Sequence, residues 1–295
     1  MIVLSPEVEA ALAERRPVVA LETSIVAQGL PRPQNLDAAL GCEDAIRASG
    51  AIPATVAVVG GRVRIGLARP ELEELAASTG ALKVSSRDLG FALATGRVGA
   101  TTVAATARVA ALAGIQFFAT GGIGGVHRGH PEDESADLAE LARSRVAVFC
   151  AGAKTVLDIP RTLERLETLS VPVIGYRTRE FPGFYLRSSG CQVSAVAGGA
   201  EETAAILEAS WSTGAMGAVI GIPPPEELEG VEAMIEQALV ELRGAMGPEV
   251  TPRLLARVAE LSEGRSVSVN VALVINNARV AGEVAAAFAR RRPQG

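Results

Sequence analysis

Residues 118–158 read FATGGIGGVHRGHPEDESADLAELARSRVAVFCAGAKTVLD, and the order of elements in that stretch decides the fold. A short apolar strand at 115–118 runs into a glycine run, Gly121, Gly122, Gly124 and Gly125. A helix start follows near Asp133 and Asp137, then a second apolar strand at 146–150, and Lys154 lies just beyond it. Each strand is a short continuous apolar run rather than an alternating one. Strands of that kind separated by helices indicate a mainly parallel sheet covered by helices on both faces.

The same grammar extends outward. Residues 17–21, 171–175 and 216–220 read as further buried strands, and 36–49, 101–113, 201–213, 226–246 and 266–291 as helices between or after them. Ser5 and Pro6 cap and open a helix over 5–15, and Thr251 caps one running through Leu261. Residues 55–67 form a hairpin with Gly60 and Gly61 at its turn. A helix over 70–78 closes at Gly80, and a strand at 82–86 feeds a helix from Arg87. In such sheets the ligand crevice lies beyond the C-terminal strand ends. Glu22, Lys83, the glycine run and Lys154 are therefore expected to open onto one side. The loop 177–184, with two aromatics and several charges, reads as a lid or a subunit contact.

Composition narrows the class. At 295 residues the chain has room for one large α/β domain or two smaller ones, and no repeat or linker marks a boundary. It is 48% hydrophobic and 21% charged, as expected of a soluble globular protein, and only 3% aromatic, so the core must be built from Ala, Val, Leu and Ile. A net charge of −5 without a long basic run argues against nucleic-acid binding. The short basic run 290–292 reads as the end of a solvated helix. Cys42, Cys150 and Cys191 make no framework and fit a reducing compartment. Neither a signal peptide nor a membrane span is expected, which points to the cytoplasm.

The lysines carry the first chemical signal. Of 28 basic residues only Lys83 and Lys154 are lysine. A guanidinium stays charged, whereas an amine in an apolar setting is available neutral as base or nucleophile. Lys154, in the segment AGAK just after a strand, has such a setting, and a Schiff base with a sugar aldehyde carbon is its natural reaction. The bland alternative is a lysine whose stem packs on the sheet while its head reaches solvent. Lys83 lies near a strand end with Ser85 and Ser86, a combination that suits a phosphate, or a plain surface lysine. Glu22, leaving an apolar strand into a long loop, reads equally as a site residue or as half of a salt bridge.

Other groups are more ambiguous. Asp133 and Asp137 fall four apart at the expected helix start and could together hold a divalent cation, but Asp133 also reads as an N-cap. The glycine run allows close backbone approach and could present N–H groups to an anion. It is not a dinucleotide fingerprint, since position 127 is His, nor is GAKT around Lys154 a phosphate loop. Asn270, Asn276 and Asn277 stand inside an apolar helix and need partners, with a backbone-satisfied core amide the simplest account of Asn270.

These residues also carry a resemblance. The segments VALETSIVAQGLPRPQN, GALKVSSRDL, TTVAAT, FATGGIGGVHRG, CAGAKTVLDI, PVIGY, FPGFY and NVALVINNA, in this order and with Asp133-Glu-Ser-Ala-Asp137 among them, closely resemble the pseudouridine-5′-phosphate glycosidase family, also known as indigoidine synthase A-like proteins. The resemblance implies a single α/β domain over residues 1–295, with a three-layer arrangement and a small hairpin, assembled as a homotrimer. It implies reversible cleavage of the C-glycosidic bond of pseudouridine 5′-phosphate to ribose 5-phosphate and uracil.

By the same resemblance Lys154 is the nucleophile at C1′ and Glu22 the proton donor to the ring oxygen. Asp133 holds one Mn²⁺ per subunit, which displaces the capping reading. Lys83, Val103, Ser135, Ala136 and Asp137 contact substrate, and His127 and Asn277 lie near the base or sugar. Gln28 departs from the family pattern, standing where a His is expected, and the loop from His127 to Asp133 is shortened. Two other functions fit the same residues: another Schiff-base phosphosugar lyase, or a non-catalytic phosphosugar-binding partner.

Overall fold

The computed structural model describes residues 1–242 and 250–291. In chain order its strands are β1 (Ile2–Leu4), β2 (Val18–Leu21), β3 (Ile52–Val59), β4 (Arg62–Ile65), β5 (Leu82–Val84), β6 (Gly99–Thr101), β7 (Phe117–Ala119), β8 (Val126–His127), β9 (His130–Glu134), β10 (Ala147–Cys150), β11 (Leu157–Asp158), β12 (Val173–Tyr176), β13 (Ala195–Ala197) and β14 (Ala218–Gly221). Side by side, β3, β2, β7, β10, β14, β12 and β13 run parallel throughout. Strands β2, β10, β12 and β14 are buried along their whole length, as continuous apolar runs require.

The sheet changes character along β3. Its first half pairs with β2, while from Val56 onward it pairs antiparallel with β4 and β6. The β3–β4 turn is Gly60-Gly61, at φ of 56° and 70°, left-handed values that a two-residue hairpin turn demands and glycine adopts freely. β1 and β5 then join β4 and β6, each in parallel. A separate antiparallel sheet of β11, β8 and β9 stands near the glycine run.

Helices cover this sheet because the crossovers between parallel strands need them. The helix Val103–Leu112 packs on β2, β6 and β7, with Ala104, Ala105, Ala107 and Ala110 fully buried. Small side chains let its backbone lie close to the strands. The long C-terminal helix Arg265–Arg291 packs on β2, β7 and β10 and on the helices Gln34–Ala48 and Ala200–Ser212. By length and composition it could cross a membrane, yet Leu273, Ala278, Ala281 and Val284 are entirely buried within the protein. Its far end is held by aromatic edges, Phe288 to Phe117 at 5.4 Å and to Trp211 at 5.3 Å. Such pairs add about 0.5–1.5 kcal/mol each beyond burial, so Phe117, Trp211 and Phe288 anchor the far end of this helix.

Some expected elements differ. β1, β6, β8, β9, β11 and β13 are too short or too polar to be legible as strands. The helix expected over 226–246 is Val231–Glu241, starting after Gly230 in a left-handed turn at φ 70°. Residues 243–246 of that expectation, the capping side chain of Thr251 and Arg292 lie outside the described residues. The helix expected from Arg87 starts at Leu89, and Asp88 accepts instead from Ser85 N at 3.0 Å.

Candidate active site

Parallel strands aim their C-terminal ends at one edge, and the reactive side chains leave from there. Glu22 follows β2, Thr120 follows β7 and Lys154 lies four residues beyond β10. The glycine segment after β7 and the segment after β10 stay paired past the sheet: Ala151 N donates to Gly121 O (2.9 Å), Ile123 N to Gly152 O (3.0 Å) and Lys154 N to Ile123 O (3.1 Å). Gly152 has φ +88°, and a Cβ there would sit 1.9 Å from Pro182 O. No other residue fits, so the backbone that carries Lys154 is pressed directly against the loop of Phe181 and Phe184.

Glu22 is buried at 7% exposure. Its two carboxylate oxygens accept hydrogen bonds from the hydroxyls of Ser24 and Thr120. Burial raises its pKa above the ordinary carboxylate value, opposed by the charge of Lys154 and by those two hydroxyls, with Asp137 adding to the rise. A buried acid held near an amine is the arrangement expected of a proton donor working beside a nucleophile.

Lys154 and Lys83, both partly buried, stand at the neck between two chambers. The inner chamber is lined by Glu22, Thr120, Gly121, Gly122, Phe184, Gln28 and Asn270. The outer one is lined by Ser85, Arg87, Thr102, Val103, His127, Asp133, Glu134, Ser135, Ala136 and Asp137. Ser24, Lys83 and Lys154 line both. The outer chamber is hydroxyl-rich and of mixed charge, with Lys83, Arg87 and Lys154 offset by Asp133, Glu134 and Asp137. Lys83, Arg87 and the hydroxyls are the groups in it that suit a phosphate. The inner one is apolar with a few polar atoms. The structure thus brings together all the expected site residues except Asn277.

Asp133 and Asp137 do not act as a pair. Asp133 lies in β9, not on a helix, and Ser135 caps the helix Ala136–Leu141. Asp133 is neither a cap nor on one helical face with Asp137. Its carboxylate is 57% exposed, with Oδ2 3.2 Å from His127 Nδ1. Asp137 is buried, and its oxygens accept from Ala104 N (2.9 Å) and Gly124 N (2.8 Å). The glycine run therefore gives one N–H to a protein carboxylate rather than to a ligand. At Gly124 a Cβ would fall 2.2 Å from Ser135 Oγ, so this contact also requires glycine.

Metal binding here rests on a sparse donor set. Among the described residues no three His, Cys, Asp or Glu side chains converge. A hard cation can still be held by one exposed carboxylate while keeping most of its waters, and Asp133 facing the outer chamber suits that mode.

Three residues behave otherwise than the sequence suggests. Asn277 is wholly buried behind the glycine segment rather than lining a chamber, and its Nδ2 donates to Thr120 O (2.8 Å) and Gly121 O (3.4 Å). Asn270 is not a satisfied core amide, since its Oδ1 is buried without a hydrogen-bond partner among the described residues and it lines the inner chamber. Phe184, expected in a lid or subunit contact, is buried at 2% and stacks edge-on against Tyr185, forming the inner wall. The sequence signal for Phe184 was its place in FPGFY, read as a motif but not as a wall.

With this geometry in view, the relatives are informative. A family model described as indigoidine synthase A-like protein matches residues 7–287. The chain belongs to the indigoidine synthase A-like family. Among family members, the pseudouridine-5′-phosphate glycosidase of Caldanaerobacter subterraneus subsp. tengcongensis is 51% identical over 96% of this chain and 95% of the relative. That of Escherichia coli K12 is 48% identical over 98% and 96%. Of solved structures, a prealnumycin C-glycosynthase in complex with ribulose 5-phosphate matches with a TM-score of 0.90 at 39% identity, covering 98% and 97% of the two chains. An indigoidine synthase A-like protein from Thermotoga maritima matches at 0.89 and 34% identity, with the same coverage. The α/β fold with a large, mainly parallel sheet is thus shared across the family.

Proposed function

We propose that this chain is a pseudouridine-5′-phosphate glycosidase that reversibly cleaves the C-glycosidic bond to give ribose 5-phosphate and uracil. The observation that carries this reading is Glu22, a buried acid of raised pKa, within electrostatic reach of Lys154 at the neck of a two-chambered cleft. The names of relatives about half identical over nearly the whole chain support it.

The chemistry follows from the bond. No oxygen or nitrogen links base to sugar, so protonating a leaving heteroatom cannot release the base. In this reading the Lys154 amine bonds to C1′ as the C1′–O4′ bond breaks and Glu22 gives its proton to O4′. The ammonium formed by this attack loses a proton to the Glu22 carboxylate. The freed lone pair forms an iminium at C1′ while the C1′–C5 electron pair leaves with the base, C5 taking up the proton that Glu22 returns. Water hydrolyses the iminium, restoring the amine and freeing the sugar. A guanidinium could not take this part.

Lys83 and Ser135 would hold the 5′-phosphate in the outer chamber, with His127 nearer the sugar. Asp133 would hold a Mn²⁺ ion there, which when bound adds charge neutralisation beside the phosphate. Asp137 and Asn277 position the two backbone segments between which the sugar lies. Assembly as a homotrimer rests on the family resemblance, and sedimentation tests it.

The test is to add pseudouridine 5′-phosphate and Mn²⁺ and follow uracil, then to treat the protein with ribose 5-phosphate and borohydride. Uracil release with an adduct mass on Lys154 is expected. An adduct without uracil release would favour another Schiff-base phosphosugar lyase, and neither would leave a phosphosugar-binding protein.

A further inference from the structure

The inner chamber ends in two side-chain carbonyl oxygens that no described residue satisfies. Gln28 is presented by a π-helical turn, Ile25–Gly29, and its Nε2 donates to Ala81 O at 3.1 Å. That bond fixes which end of the amide is oxygen, and the Oε1 left over is buried without a partner among the described residues. Asn270, at 3% exposure, likewise leaves its Oδ1 buried and unpartnered. A Cβ placed on Gly121 would lie 3.5 Å from this oxygen and 3.6 Å from the Phe184 ring, so oxygen, ring and glycine backbone meet at one place.

The position of these two side chains along the cleft matters. Gln28 and Asn270 line the inner chamber and also a third cavity beyond it, which Glu22 and Lys154 do not line. They therefore stand at the end away from the reacting atoms. Thr155 Oγ1 and Asn277 Oδ1 are also buried without a partner among the described residues. Of these four, only Gln28 Oε1 and Asn270 Oδ1 belong to residues that line the inner chamber, where a ligand bringing N–H groups would relieve the cost of leaving them unpaired.

Resting on the proposed substrate, we propose that Gln28 and Asn270 read the base, their oxygens accepting its two ring N–H groups. A uracil joined through C5 keeps both N1–H and N3–H, whereas one joined through N1 keeps only N3–H. An N-linked pyrimidine nucleotide would leave one acceptor buried and unpaired, and sites built around such bonds reject analogues that lack the donor. The pair thus selects C-linked over N-linked nucleotides at a distance from the bond that is cut.

Calorimetric binding of free uracil, 1-methyluracil and 3-methyluracil tests this without requiring turnover. The wild-type protein should bind uracil about 10- to 100-fold more tightly than either methylated base. Asn270→Leu and Gln28→Met roughly keep side-chain shape and remove one acceptor each. Gln28→Met also removes the Nε2 bond to Ala81 O, so thermal melting checks that it folds. Each should weaken uracil about tenfold and make one methyluracil, a different one for each variant, bind as well as uracil. Both variants should still trap ribose 5-phosphate on Lys154 with borohydride, which shows the sugar end intact. Equal affinity of the wild type for all three bases, or no binding of uracil, overturns the inference. If the wild type binds uracil selectively yet forms no Lys154 adduct, the base site stands and the proposed reaction falls.

Discussion

Asn277 donates a 2.8 Å hydrogen bond to the backbone carbonyl of Thr120, and the hydroxyl of Thr120 in turn donates to Glu22. A residue 157 positions from Thr120 in sequence thus helps set where the proposed proton donor stands without touching the cleft itself. Asn277→Leu should lower stability by about 1 kcal/mol, since two carbonyls lose a buried donor while an Oδ1 unpartnered among the described residues is removed with it. It should lower turnover more than it raises KM. Urea denaturation with steady-state rates checks both, and unchanged turnover would show that Thr120 is held by other means.

Lys154→Arg should leave melting temperature nearly unchanged and abolish uracil release. Glu22→Gln should lower the rate by about 10²–10⁴-fold, the usual contribution of a proton donor. Single-turnover measurements on purified, folded variants decide, and wild-type rates in either would refute the assigned role.

Activity should fall as pH rises through the raised pKa of Glu22, because the acid form is the donor. Stability should move the same way. Between the ordinary value of 4.5 and the raised one, the native state binds a proton that the unfolded state has already lost. This contribution is full below the ordinary value and is lost as pH climbs to the raised one. Lys154→Met removes the charge that pulls Glu22 down, so its decline should shift to higher pH. Glu22→Gln should erase the decline, and chemical denaturation across pH reads all three.

Asp133 is exposed, in contrast to the buried Asp137. Asp133→Ala should therefore cost little stability but raise the Mn²⁺ concentration needed for half-maximal activity. Asp137→Asn should do the reverse, costing about 1.5–3 kcal/mol because a charged acceptor of two backbone N–H groups is weakened. Thermal melts and metal titrations of the two variants separate these outcomes. Loss of metal response in Asp137→Asn alone would overturn the assignment.

The parallel sheet was legible because β2, β7, β10, β12 and β14 are apolar along their length and helices separate them. Glu22, Lys83 and Lys154 were legible because strand ends aim them at one edge, and because lysine is so rare here. What escaped depends on contacts distant in sequence. The spacing of Asp133 and Asp137 suggested one helix face, but Pro131 and the capping by Ser135 leave Asp133 in a strand. Nothing local says that Asp137 faces the amides of Ala104 and Gly124. Asn277 and Asn270 sit two turns apart on one helix, yet one reaches backbone and the other an unfilled chamber. That difference is set by how Arg265–Arg291 lies across the sheet, which its packing against the helix Gln34–Ala48, the strands β2, β7 and β10 and the aromatics Phe288, Trp211 and Phe117 determines.

The contact of Gly152 with Pro182 couples two parts that a designer would want to adjust separately. Widening the aromatic side of the cleft for a bulkier heterocycle would drag the amine with it, because no slack lies between the two backbones. Any relative that accepts a larger base must have shifted both segments in concert or found its room elsewhere.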